Sequence, residues 1–157
     1  MQIILTTLMG MVGAVCFAML FNVRGYKLIS HAIGAMISWI VYMYVFSFNQ
    51  DKVISLFCAT ATIGILSEIL ARLMKAPVIV MLVPMLVPLF PGSDLFYATS
   101  YLVRGDNLMG MQYLELVLKE AGAMAFAIII VTSLTQVVLK VARYLARNLY
   151  RVLNKGQ

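Results

Sequence analysis

Of the residues that could do chemistry, Glu68 is the first to consider, in the stretch Ser67-Glu68-Ile69-Leu70-Ala71-Arg72. It is the one acid set well inside an apolar run, seven residues before Lys75. At 1.5 Å per residue that puts it about 10 Å into a helix. A carboxylate at membrane depth is costly if charged and unpaired, so it is a candidate carrier of a proton or of a substrate's amino group. Arg72 follows at i+4, in the order that favours an ion pair, and a purely structural pair would explain both residues equally well. Thr60, Gly64 and Ser67 form a stripe beside Glu68 that either lines a polar path or packs a neighbouring helix. His31, the only histidine, could relay a proton; a packing place near a helix end is the plainer reading. Cys16 and Cys58 lie in apolar runs without paired spacing and read as small buried hydrophobes. No His-Glu-Xaa-Xaa-His, Gly-Xaa-Ser-Xaa-Gly or carboxylate pair points to an enzyme, and no metal or cofactor is implied.

A second group is marked by backbone chemistry. "VPMLVPLFPGSD", residues 83–94, puts Pro84, Pro88 and Pro91 into eight residues and follows them with Gly92, Ser93 and Asp94. Proline has no N–H and clashes with the preceding turn, so each one frees a carbonyl, here at about positions 80, 84 and 87. A broken helix inside a membrane is tolerated only where the backbone is buried in protein or lines a wet cavity. Secondary transporters use such breaks to bind substrates and ions near the midplane. Gly92 allows a turn or a close approach to a ligand, and Ser93 or Asp94 can cap the helix that restarts.

These residues must be held by helices that cross a bilayer. The chain is 63% hydrophobic and 11% charged, with a mean hydropathy of +0.97. That inventory cannot make a water-soluble surface. Runs of roughly 20 apolar residues are needed to cross the hydrocarbon core, and five occur, over about 3–21, 28–46, 53–73, 77–103 and 121–139. The fourth is the one broken by prolines. Together they make an all-α integral membrane domain over 1–139. The first run lacks a basic n-region and a cleavage site and reads as a retained span. "RGYK" at 24–27 and "NQDK" at 49–52 are the turns, and Pro77 suits the first turn of the fourth segment.

The net charge of +6 does not point to nucleic acid, because the basic residues lie between and after apolar runs rather than in one patch. It points to topology. Arg24, Lys27, Arg72, Lys75, Lys140, Arg143, Arg147, Arg151 and Lys155 fall on one side, against Lys52, Arg104 and Lys119 on the other. The positive-inside rule then predicts the N-terminus outside and the C-terminus inside. Asp51, Asp106, Glu115 and Glu120 are acids of the outer side that could pair with its three cations. Residues 140–157 carry basic residues three or four apart and read as an amphipathic helix on the inner leaflet. Ser30, Gly34 and Ser38, and likewise Gly10 and Ala14, form small-residue stripes that let helices approach closely. Trp39, Tyr42 and Tyr44 read as an interfacial aromatic belt.

"GILSEILARLMKAPVIVMLVPMLVPLFPGS", residues 64–93, resembles the signature of the threonine/serine exporter family, in its second-half domain. "MLFNVRGYKL", residues 19–28, resembles that family's first loop. The basic tail after Lys140 has no place in the family pattern. The resemblance implies a bacterial inner-membrane exporter driven by protons, with threonine and serine as its substrates. Some members carry both halves in one chain; others are split, and one split pair is associated with export of succinate, a C4-dicarboxylate. The chain has the size and motif of the small subunit. The partners expected are then a larger subunit of the same family, or a second copy of the chain in a homo-oligomer, together with the lipid bilayer and a small-molecule substrate. A non-transporting scaffold that stabilises its partner is the competing reading. Glu68, Ser67, Arg72, Lys75, Thr60, Gly64, Pro84, Pro88, Pro91, Gly92, Ser93 and Asp94 are the candidate residues of a substrate or proton pathway.

Overall fold

The computed structural model describes residues 2–154, with the side chains of residues 2–3, 142–143 and 145–154 excepted. Among the described residues the chain is all helix: α1 (Gln2–Leu20), α2 (Lys27–Asn49), α3 (Lys52–Leu73), α4 (Val78–Leu86), a 3-10 turn (Val87–Leu89), α5 (Gly92–Val103) and α6 (Asn107–Asn154). α2, α3 and the Asn107–Val141 part of α6 are long and apolar enough to cross a membrane, and α4 with α5 adds a fourth if the bent pair is one span. α1 is apolar over the shorter stretch Ile4–Leu20.

The ends of these helices follow from local chemistry. Asn22, Lys75 and Gly105 take left-handed backbone conformations just past α1, α3 and α5. In each case the next amide reaches back five residues, from Val23 to Ala18, Ala76 to Ala71 and Asp106 to Tyr101. This closes the helix by capping carbonyls that would otherwise lack donors. Asp51 caps the start of α3, its Oδ1 accepting from the amides of Val53 at 2.8 Å and Ile54 at 3.4 Å. An extended Pro77 precedes α4 rather than entering its first turn.

The fourth segment is indeed a helix, a break and a helix, bent by 60°. The slot that holds it is made by small residues. A Cβ on Gly10 of α1 would lie 3.0 Å from the Pro88 ring, and one on Gly13 would touch Val87. A Cβ on Gly34 of α2 would collide with Met85. On the other side, a Cβ on Gly64 of α3 would lie 3.0 Å from Val131 of α6, so the Thr60, Gly64, Ser67 stripe faces that helix contact. In lipid, where no hydrophobic drive joins helices, this close approach is what packing depends on. Leu56, Ala59 and Ile63 of α3 meet Leu82, Met85, Leu89 and Met124 in the core.

The structure corrects the sequence reading in two further places. α6 begins at Asn107, fourteen residues before the expected fifth span, and its backbone runs unbroken past residue 139. Glu115, Lys119 and Glu120 had made this part look like a polar connection, yet Glu115 and Lys119 pair at 2.7 Å across i,i+4, as charges on a helix do. Nor does a Ser93 or Asp94 side chain cap α5: the capping position is Pro91, with no side-chain bond. Asp94 is drawn instead to a lysine on another helix. The side chains of Arg143, Arg147, Arg151 and Lys155, on which the expected basic face rests, lie outside the described residues.

Candidate functional site

The break is built around the carbonyls that its prolines orphan. Val80 would normally accept from the amide of residue 84, which is a proline. His31 takes its place: Nε2 lies 3.0 Å from the Val80 carbonyl and Nδ1 2.7 Å from the Lys27 carbonyl of its own helix, two acceptors to which a doubly protonated ring donates together and a neutral ring one at a time. The histidine is fully buried, so it ties α2 to α4 at the point where α4 loses a bond. The remaining two are closed locally. The Pro84 carbonyl accepts from the Val87 amide and the Val87 carbonyl from Phe90 at 3.3 Å, which tightens the last turns into 3-10 geometry.

Beyond the 3-10 turn lies a cavity of about 310 Å³. Pro88, Leu89, Phe90 and Pro91 form its wall at the break, and Ser93 and Asp94 open α5 beside it. Lys52, at the start of α3, reaches into it and donates to Asp94 Oδ2 at 2.8 Å. Glu120 of α6 completes the polar lining at 1% exposure, close enough to Asp94 and Lys52 to interact with both. Trp39 and Tyr42 of α2 close the remaining side, their rings stacked with centroids 5.3 Å apart. Two buried polar atoms in this lining, Trp39 Nε1 and, with the carboxyls ionised, Glu120 Oε2, have no hydrogen-bond donor or acceptor to answer them among the described residues. An adjoining groove of about 800 Å³ shares Phe90 and Pro91 but is otherwise lined by apolar side chains and glycine.

The structure therefore divides the candidate residues. Pro88, Pro91, Ser93 and Asp94 come together at the cavity. Gly92 borders the apolar groove, and Pro84 is buried within α4. Glu68 and Arg72 form an i,i+4 ion pair of 2.7 Å towards the other end of α3. Sixteen residues separate Glu68 from Lys52, about 24 Å along a helix. Ser67 donates to its own helix at the Gly64 carbonyl, Thr60 is buried with its hydroxyl unpartnered, and Lys75 is exposed in the turn before α4. Lys52, Glu120, Trp39 and Tyr42 were not read as site residues. Trp39 and Tyr42 belong to the buried face of α2 that carries His31, Ala35 and Ser38, whereas Tyr44 points away at 65% exposure. Helical spacing could have separated them from the belt. Glu120 likewise stands in register with the buried Met124, Ala127 and Val131. No group of three or more His, Cys, Asp or Glu that could hold a metal ion occurs among the described residues.

A bundle of apolar helices, one of them broken so that its ends frame a small charged cavity, is an arrangement that secondary transporters use. The family comparison makes this particular. The family model described as Threonine/Serine exporter, ThrE, matches residues 6–134. The chain belongs to that family, and the match stops short of the basic tail. No curated protein and no solved structure matches the chain.

Proposed function

We propose that the chain is the small subunit of a proton-driven exporter of threonine and serine, working with a larger subunit of the same family in the bacterial cytoplasmic membrane. The observation that supports this reading is the charged cavity at the break between α4 and α5, in a chain of an exporter family. Its lining has one cation, Lys52, and two carboxyls, Asp94 and Glu120. That balance suits a substrate bearing an ammonium group and disfavours a dicarboxylate such as succinate, which would add two negative charges. A proton and a substrate ammonium would compete for the same carboxyl oxygens, and such competition is a direct way to exchange one for the other across a membrane. Glu68, neutralised by Arg72 at the far end of α3, has a structural role in this reading. The basic residues Arg24, Lys27, Arg72 and Lys75 support an N-terminus outside and a C-terminus inside.

The test is efflux of radiolabelled threonine and succinate from vesicles, with and without the larger subunit. Threonine should leave only when both subunits are present, and faster when the proton gradient is imposed. Robust efflux from the chain alone would refute the subunit role; efflux of succinate but not threonine would refute the substrate class.

A further inference from the structure

We infer, resting on that exporter reading, that the cavity at the helix break is the recognition site for one small zwitterionic amino acid, held between Trp39 and Lys52 at its carboxylate and Glu120 at its ammonium.

The inference starts from two atoms. Glu120 is 1% exposed and its carboxyl lies within hydrogen-bond reach of Asp94, so that with both groups ionised its Oε2 has no donor among the described residues; Trp39 Nε1 is also buried without an acceptor. Both residues line the same cavity. Native proteins rarely leave such groups unanswered. An indole N–H can only donate and an ionised carboxylate oxygen can only accept. A ligand that answers both while the two carboxyls are ionised offers an acceptor to the indole and a donor to the carboxyl pair.

The charges narrow this further. The Lys52 ammonium has three N–H donors and gives one to Asp94 at 2.8 Å. Its remaining donors and the indole N–H suit an anion. Glu120, beside Asp94, suits a cation. A molecule with a carboxylate and an ammonium on one carbon meets both demands; an amine or a carboxylic acid alone meets one. The volume of about 310 Å³ is at the small end of ligand pockets.

Trp39 is the only tryptophan in the chain, so its fluorescence reports the cavity directly. The full chain in lipid nanodiscs would be titrated with L-threonine, N-acetyl-L-threonine, L-threonine methyl ester and succinate. L-threonine should change the emission saturably, and the other three should bind at least tenfold more weakly. E120Q should weaken L-threonine at least tenfold while helicity and melting temperature hold. If E120Q does not fold, W39F read by binding of radiolabelled L-threonine should lose three- to tenfold. No saturable response to L-threonine, equal binding of N-acetyl-L-threonine, or a folded E120Q that binds as the unaltered chain does would each overturn the site. Threonine efflux from vesicles with an unaffected E120Q would overturn the site and leave the exporter reading standing. Zwitterion-specific binding at Trp39 without efflux would do the reverse.

Discussion

The two ends of α3 each hold a basic residue against a carboxylate, and they differ in how the pair is made. At one end Arg72 and Glu68 lie one turn apart on the same helix, with 44% of the arginine side chain exposed. At the other, Lys52 meets Asp94 from a different helix and Glu120 from a third. The first pair is a local product of sequence spacing and survives wherever α3 is helical. The second exists only when three elements are docked and the broken helix is bent. A charge cluster that depends on the whole fold is the one that can respond when part of the fold moves.

Removing one charged partner at each end sharpens this contrast. Lys52→Gln should have the larger effect, because it leaves Asp94 and the buried Glu120 facing each other without a cation. Breaking a buried pair costs roughly 3–5 kcal/mol; Lys52 is 42% exposed, so about 2 kcal/mol is expected, with export reduced at least tenfold. Melting temperature and vesicle efflux measure the two. A Lys52→Gln variant that exports normally would dissolve the distinction between the ends.

The next effect concerns the bend. His31→Ala removes the donor that answers the Val80 carbonyl, which should cost about 1–3 kcal/mol as an unsatisfied buried group. Pro84→Ala restores an amide at residue 84 that can bond Val80 within α4. In the Pro84→Ala background the histidine substitution should therefore cost about 1 kcal/mol less, and a double-mutant cycle by thermal unfolding reads the difference. Equal costs in both backgrounds would mean that His31 does not act through that carbonyl.

The smallest effect belongs to Glu68→Gln. A part-exposed i,i+4 pair contributes about 0–1 kcal/mol, so stability should fall by less than 1 kcal/mol and proton-dependent export should persist. Loss of proton dependence in this variant would return the coupling role to Glu68.

What the sequence makes legible is what is local. Four of the helical segments, the proline break, the Glu68–Arg72 spacing and the small-residue stripes all follow from the helical period or from one residue's backbone chemistry. The start of α6 was lost because three charges interrupted an apolar run, although Glu115 and Lys119 already stood at helical spacing. Lys52 with Asp94 and His31 with Val80 are separated by 42 and 49 residues. No periodicity connects positions so far apart, and only docking brings them together. The freed carbonyl near position 80 was readable; the residue that would answer it was not.

That last contact also carries a history. A lineage that first lost Pro84 would regain the helical bond to Val80, and His31 could then drift at a smaller penalty. A lineage that first lost His31 would bear the unanswered carbonyl at once. The two substitutions are thus not interchangeable in order: the route through the proline is open, the route through the histidine is steep, and once the histidine has drifted away the proline is hard to recover.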